Sequence, residues 1–357
     1  MEILHLHETL ALRGGAEVYL LDLLSRQRER GHEVKLLETL KVSPGEILRA
    51  AREAEIIHLH VIYYRTPFRL LFDLLVFHRA VLTVHDLLNF CPRLLLTPPD
   101  GGLCLSPAGL HCVERCFGRP TLPLLRDLLR HLLKRALLRR ARVILCPSRF
   151  VLTVLKHFGF PKERLRHLPL YLPPLPGDTR PGAPPFPGRG LRILFVGRAS
   201  EGKGFFVLKE ALERLASPFT ALAVGPGRAE LTFRNGRLVL LPPLPRGALR
   251  SLYEAADVCV VPSLAPESFC FVGLEALSCG CPVLASFPGG QEEWLREGEN
   301  GFLFPRGDAA ALARLLDELS SERALLERLK RNAPETAAPF LDPEPHLEGL
   351  ENLYPEI

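Results

Sequence analysis

Residues 262–286 read PSLAPESFCFVGLEALSCGCPVLAS. The apolar run Val258–Pro262 leads into this stretch and stops at a proline, as a strand buried on both faces would. The loop that follows carries Glu267, and a helix expected from near Phe271 carries Glu275. One carboxylate at a helix start and a second about one turn inside can reach different hydroxyls of one extended ligand. The free amides at the helix N-terminus between them favour a phosphate. The plainer reading makes both glutamates ordinary acidic residues at the positive end of a helix dipole, and spacing alone leaves both readings open.

Outward from this stretch, short β-branched or leucine-rich runs recur between helical patterns. In the first half they are Ile3–His7, Glu33–Leu37, Ile56–Ile62, Ala80–His85 and Val143–Pro147. In the second half they are Leu191–Gly197, Thr220–Gly225, Arg237–Leu241, Val258–Pro262 and Pro282–Ser286. Strand–helix alternation of this kind predicts an α/β protein with parallel sheets. Between the halves, residues 169–190 hold eight prolines, too many to continue a helix or a sheet. The expected organisation is therefore a lobe over 1–170, a proline-rich hinge over 171–190 and a second lobe over 191–339. Residues 340–357 are expected to return to the first lobe. Ligands of such lobes sit outside the carboxyl ends of the strands, which predicts two Rossmann-like lobes with parallel sheets facing across a cleft.

Composition limits the function classes. The chain has 357 residues, 47% hydrophobic and 24% charged, enough for two domains with buried cores and too apolar for a disordered chain. No run of about 18 apolar residues is present to cross a bilayer. Met1 to Ala11 carries Glu2 and Glu8 and no basic stretch, so no signal peptide is expected and a cytoplasmic address follows. The net charge is only +5, and just eight of the 45 basic residues are lysines, which argues against a nucleic-acid partner.

Three further segments follow strands. Gly197-Arg198-Ala199-Ser200-Glu201-Gly202-Lys203-Gly204 opens a helix and makes a cationic cradle suited to a diphosphate, although a solvated face is the bland alternative. Gly14-Gly15-Ala16-Glu17 also opens a helix, where glycine permits close backbone approach or simply turns the chain. Thr83-Val84-His85-Asp86 places a histidine at a strand's carboxyl end, where it can meet a ligand or sit satisfied in the core.

Glu267-x7-Glu275-Ala276, then Gly280-x-Pro282-Val283, together with Gly197-Arg198, four residues and Lys203-Gly204, resembles the signature of glycosyltransferase family 4. The family comprises retaining enzymes of the GT-B fold. The resemblance extends from Gly14 to Phe304 and includes Gly14-Gly15-Ala16-Glu17 and the cleft histidine at His85. It implies that Glu267 contacts the donor sugar and that Glu275 binds the nucleotide ribose. Backbone amides of Phe269, Cys270, Phe271 and Val272 would meet the diphosphate, while Gly197 and Gly15 would line the donor site. Arg198 and Lys203 would stabilise charge on the leaving nucleoside diphosphate. One departure is Cys270, where the family usually has glycine. The implied donor is a UDP-, GDP- or ADP-sugar and the implied acceptor a glycan, lipid-linked or small molecule. No Asp-x-Asp motif occurs, in keeping with catalysis that needs no divalent metal. The alternatives are another GT-B enzyme, such as a nucleotide-sugar epimerase, and a non-catalytic sugar-nucleotide binder.

Cys91, Cys104, Cys112 and Cys116 fall within one loop after His85. Four thiolates could close a structural zinc site or hold an iron–sulfur cluster; two disulfides or free thiols are the alternatives. The five other cysteines read as small core residues. The pairs His5/His7 and His58/His60 could ligate a metal, but strand-end histidines are more often structural. Residues 126–142, RDLLRHLLKRALLRRAR, read as an amphipathic helix with a leucine stripe and an opposite basic face, suited either to packing or to an anionic membrane surface.

Overall fold

The structure, a computed structural model, describes residues 1–11, 14–61, 65–87, 90–99, 101–177, 186, 188–225 and 227–356. It divides into two units, Met1–Pro173 with Pro343–Ile357, and Pro174–Asp342. The expected hinge begins inside the first unit, where Leu170, Tyr171 and Leu172 are buried. Much of the remaining proline-rich stretch, with Ile62 at the predicted end of a strand, lies outside the described residues.

The first unit is built on β1 (Glu2–His7), β2 (Glu33–Glu38), β3 (Ile56–Leu59), β4 (Ala80–Thr83), β5 (Val143–Cys146) and β6 (Leu165–His167). These pair in the order β2-β1-β3-β4-β5-β6, every pair parallel. Its helices are α1 (Gly15–Glu29), α2 (Pro44–Glu53), α3 (Phe68–Val76), α4 (Leu122–Leu138) and α5 (Arg149–His157). Local chemistry fixes where several of them start. Ser43, Thr121 and Ser148 accept from Glu46 N, Leu124 N and Val151 N at 3.3, 3.4 and 3.2 Å, each satisfying an amide that the helix itself cannot. β3, β4 and β5 are buried along their whole length, the condition that selects their apolar, non-alternating sequences.

The second unit contains β7 (Leu191–Val196), β8 (Phe219–Val224), β9 (Ala229–Phe233), β10 (Gly236–Leu241), β11 (Val258–Val261), β12 (Val283–Phe287) and β13 (Gly301–Pro305). Its helices are α6 (Phe205–Arg214), α7 (Arg246–Ala255), α8 (Phe271–Ser278), α9 (Ala309–Ser321) and α10 (Arg323–Ala337). The strand order is β13-β12-β11-β7-β8-β10-β9. One expectation is corrected here. The sheet is not wholly parallel, because β9 joins the edge antiparallel to β10 through the two-residue turn Arg234-Asn235 ahead of Gly236. Polar positions facing solvent on this edge conceal β9 as a strand, although Asn-Gly is a strong hairpin signal. Strands β6 and β13 also escaped the sequence reading.

In each sheet the order reverses at its first strand, β1 or β7, which has neighbours on both sides. In the second unit α6 packs on α9, whereas α8 packs on α7 and α10. The helices after β7 and β11 therefore pack on different neighbours, and the two strands mark the switch point at whose carboxyl end ligands of such sheets bind. The chain's last helix, α11 (Glu344–Leu353), completes the first unit: His346, Leu347, Leu350 and Tyr354 are buried there.

Candidate active site

β7 leads through Gly197 and Arg198 into a tight turn ending at Gly204, the N-cap of α6. Gly204 has φ +67°, and a Cβ at this position would stand 1.8 Å from the Pro262 carbonyl oxygen. That approach seats the Lys203 turn directly on the loop after β11. Across it, Lys203 Nζ donates to Glu267 Oε1 at 2.8 Å, and Ser263 Oγ donates to the same oxygen at 2.6 Å. The Glu267 carbonyl accepts from Gly290 N at 2.7 Å, so the carboxylate is held from both its backbone and its side chain.

Burial alone would raise the Glu267 pKa, but the Lys203 ammonium and the Ser263 hydroxyl hold it below the ordinary value. Lys203 is raised in turn by Glu267 against its own desolvation, with the Arg198 charge opposing. Arg198 is exposed, and among the described residues its side chain has no hydrogen-bond or ion-pair partner. A third cation, absent from the sequence reading, is Arg306. It donates to the carbonyls of Leu264, at 2.6 Å, and Pro288, and burial brings its pKa down to about 10. In an arginine-rich chain no local pattern distinguished it.

α8 starts at Phe271, as its sequence predicts, with Cys270 at the N-cap. Cys270 has φ +67° and ψ +73°, left-handed backbone that ordinarily selects glycine. This is the physical reason that a glycine suits the position; the observed thiol is buried and pushed up to about 12 by desolvation. The positive end of α8 lies at Cys270, Phe271 and Val272, with Phe269 fixed behind it by Trp294 Nε1 donating to its carbonyl at 2.6 Å. Glu275 is buried inside the helix. It accepts from Arg246 Nε at 2.6 Å and from the Tyr253 hydroxyl at 3.1 Å, both from α7. Neither partner was legible in sequence, since each meets Glu275 only through the packing of α7 on α8.

The site residues Arg198, Lys203, Glu267 and Cys270 thus belong to adjoining loops, and Glu275 to α8, of one unit, whereas Gly15 and His85 belong to the other. Gly15 opens α1, and Gly14 N donates to Glu17 Oε2 at 2.7 Å. His85 is buried and brought down to about 3 by desolvation, with His7 and His346 adding to the shift. It is therefore neutral across the ordinary pH range. His85 Nε2 lies 3.0 Å from His60 Nδ1, and His60 Nε2 lies 2.9 Å from His5 Nδ1.

Among the described residues, the nitrogens of His5, His58 and His60 lie within 4.8 Å of one another, close enough to suggest a metal centre. Every ring nitrogen of the three, however, has a hydrogen-bond partner: one another, His85, Gln27, Tyr354 or Thr83. The group is a satisfied polar core rather than an open donor set.

All nine cysteines are free thiols. Cys91, Cys104, Cys112 and Cys116 line one small cavity with His111. Burial raises the Cys112 and Cys116 thiols, and the neighbouring cysteines add to the effect. Cys146, Cys259, Cys270 and Cys281 are buried, but Cys279 is only half-buried. The leucines of α4 do not form a single stripe. Leu124, Leu128, Leu137 and Leu138 pack inward, while Leu122, Leu125, Leu129, Leu132 and Leu133 are exposed beside Arg126 and Arg130. No helix among the described residues is long and apolar enough to cross a membrane.

Comparison with solved structures identifies the fold. Sucrose-phosphate synthase from Thermosynechococcus elongatus superposes with TM-score 0.70 at 19% identity, covering 100% of this chain and 99% of its own. Anabaena HepE in complex with UDP-glucose gives TM-score 0.71 at 19% identity, covering 100% of both chains. These neighbours have the GT-B fold, and so does this chain. The Nocardia farcinica D-inositol 3-phosphate glycosyltransferase is 38% identical over 154 residues, 43% of this chain and 31% of the relative. The Mycobacterium leprae phosphatidyl-myo-inositol mannosyltransferase is 38% identical over 152 residues, 40% of this chain and 41% of its own length. The matched region thus spans well under half of these curated relatives. Family models cover far more of the chain: Glycosyltransferase Family 4 over residues 13–170 and Glycosyl transferases group 1 over residues 179–336. With the GT-B fold beneath both models, the chain belongs to the family 4, group 1 glycosyltransferases.

Proposed function

We propose that the protein is a retaining glycosyltransferase that moves a sugar from a nucleotide-sugar donor to a glycan, lipid-linked or small-molecule acceptor. The observation that carries this reading is the seating of Lys203 and Glu267 beside Cys270 at the positive end of α8, with Arg198 close enough to act on the Lys203 charge and Glu275 in the same helix. Such a group suits the departure of a nucleoside diphosphate. Arg198, Lys203 and the α8 dipole offset charge that grows on the leaving phosphate. Glu267, kept ionised by Lys203 and Ser263, accepts from donor-sugar hydroxyls, and Glu275, oriented by Arg246 and Tyr253, accepts from the ribose. First-unit groups around Gly15, His85 and the cysteine loop take the acceptor side. Attack on the face the phosphate leaves, with that phosphate receiving the acceptor proton, retains the anomeric configuration. These cations make a divalent metal unnecessary. UDP-glucose in the Anabaena structure supports a nucleotide-sugar donor, and the mannosyltransferase's phosphatidyl-myo-inositol supports a lipid-linked acceptor.

Two finer assignments go with this reading. Four thiols around one cavity suit a structural zinc ion, or an iron–sulfur cluster, bracing the loop over Cys91–Cys116. The exposed leucines of α4 among arginines suit peripheral attachment to an anionic membrane surface on the cytoplasmic side.

The test is a panel of UDP-, GDP- and ADP-sugars, scored first by thermal shift and then by transfer in the presence of EDTA. One donor class should raise the melting temperature and support transfer, and Lys203→Met should lower kcat by roughly 10²–10³-fold. Glu275→Gln should weaken donor binding. Donor binding unchanged in Glu275→Gln, or transfer abolished by EDTA and restored by magnesium or manganese but not by zinc, would overturn the assignment.

A further inference from the structure

Three neighbouring strands, β11, β12 and β13, send their carboxyl-end loops to the backbone around Glu267. Ser286 Oγ, near the end of β12, donates to the Ser263 carbonyl at 2.7 Å, and Gly290 N donates to the Glu267 carbonyl at 2.7 Å. Gly290 presses so closely that a Cβ there would stand 2.0 Å from the Ser268 carbonyl oxygen. The third loop contributes one long side chain. Arg306, the residue after β13, donates through Nη1 to the Leu264 carbonyl at 2.6 Å and through Nη2 to the Pro288 carbonyl. One guanidinium thus ties the loop that carries Glu267 to the loop that holds its backbone.

Both acceptors of Arg306 are neutral. Among the described residues no carboxylate lies within ion-pair distance of it, and its Nε–H is buried without a hydrogen-bond partner. Even brought down to about 10 by burial, the guanidinium is protonated at neutral pH. Its charge therefore acts through space on the two carboxylates nearest to it, Glu267 and Glu292. Glu292 is engaged with Gly289 N at 2.7 Å. Glu267 is differently placed. Its Oε1 accepts from both Lys203 Nζ and Ser263 Oγ, whereas Oε2 has no protein partner among the described residues and the side chain is 15% exposed. Oε2 is the oxygen left for a ligand.

Lys203 has two tasks if the glycosyltransferase reading holds, because the same ammonium must serve Glu267 and the donor's phosphate. Each N–H that it turns to phosphate loosens its hold on the carboxylate. Arg306 has no such freedom, with both Nη groups fixed on carbonyls. We propose that Arg306 is a positioning residue for Glu267, holding its loop in place and keeping its carboxylate ionised while Lys203 turns to the leaving phosphate. The charged and titratable groups around Glu267 are Lys203, with Arg198 beyond it, from the turn after β7; the neutral Cys270 thiol at the start of α8; and Arg306, with Glu292 beyond it. Of these, the two glutamates titrate on the acid side.

The first measurement needs no substrate: ¹³C NMR of protein labelled at the glutamate carboxyl, with the two signals assigned by their loss in Glu267→Gln and Glu292→Gln. Arg306→Met should move the Glu267 midpoint to higher pH, and Arg306→Lys, which keeps the charge, should bring it back toward the wild-type value. Where Arg306→Met folds poorly, Arg306→Gln, which keeps an N–H donor without the charge, should give the same displacement. In transfer assays kcat/KM for the donor should fall about 10–100-fold in Arg306→Met, with its acid limb displaced to higher pH. Arg306→Lys should restore the limb but only part of the rate, since an ammonium lacks the fork that bridges two carbonyls. A Glu267 midpoint unchanged in both Arg306→Met and Arg306→Gln would overturn the proposal. So would equal losses of rate in Arg306→Met and Arg306→Lys with no displacement of the limb. The displaced midpoint in a protein that transfers sugar from no donor would uphold the hold of Arg306 on Glu267 and refute the glycosyl-transfer reading alone.

Discussion

Replacing Gly204 by alanine should cost far more than its backbone angle explains. A left-handed residue with a Cβ costs about 1–2 kcal/mol relative to glycine. Gly298, in the same unit, measures that term by itself: its φ is +72° and nothing lies within 4 Å of the position of its Cβ. Gly204 has nearly the same φ, +67°, but its Cβ would lie 1.8 Å from the Pro262 carbonyl oxygen. The two loops must then part by roughly an ångström and a half to reach ordinary contact distance, which by analogy with overpacked cores adds about 1–3 kcal/mol. Gly298→Ala should therefore lose about 1–2 kcal/mol and Gly204→Ala about 2–5 kcal/mol. The measurement is denaturant unfolding of both variants, followed by a probe in the second unit so that the first does not confuse the transition. Because the same displacement pulls Lys203 from Glu267, Gly204→Ala should also bind donor more weakly, and Gly298→Ala should not. Equal losses of stability in the two variants would refute the close-approach argument.

Three shorter predictions concern other parts of the chain. Asp257 is buried and accepts from Arg192 N at 2.9 Å and from Arg192 Nη2 at 2.7 Å; burial would raise its pKa, but Arg192 and Lys330 hold it below the ordinary value. A carboxyl lowered by folding stabilises fully above its unfolded pKa, about 4, and that contribution disappears as pH falls through the folded value. Asp257→Asn should thus cost about 1–3 kcal/mol at neutral pH and flatten the acid-side loss of stability, and an unchanged acid slope in calorimetry would contradict it. For the cysteine loop, protein purified without chelator should contain metal that is lost in Cys112→Ser, and cobalt should restore a thiolate charge-transfer band; Ellman titration showing two disulfides would count against this assignment. For α4, sedimentation with anionic vesicles should drop in Leu129→Ser/Leu133→Ser and with rising salt, while identical binding by variant and wild type would remove the membrane assignment.

Much of the architecture could be read from the chain because its central strands are buried on both faces, so β3, β4, β5, β8 and β11 show as mostly apolar runs without alternation. The edges were harder to read: β6, β9 and β13 went unread, and β9 is half-exposed with no such run. The site divided in the same way. Glu267, Lys203 and Arg198 were visible because loop chemistry is concentrated in short motifs next to strands. The partners of Glu275 were not, since Arg246 and Tyr253 meet it only through helix packing. Cys270 showed only as a departure from a pattern, and its backbone angle supplied the reason. The histidine row depends on strand register, which one strand's sequence does not disclose.

The first unit is discontinuous along the chain, and this has a consequence for biosynthesis. Its core is closed by α11 and Tyr354, with the Tyr19 hydroxyl donating to His346 Nε2 at 2.5 Å and Tyr354 meeting Gln27 and His58. A ribosome releases residues 1–173 long before those groups exist. The lobe made first is therefore the last to be finished, and it must wait through synthesis of the whole second unit with polar imidazoles and an apolar groove uncovered. A truncation before α11 that spares the whole second unit would therefore still leave the first unit open to proteases and chaperones.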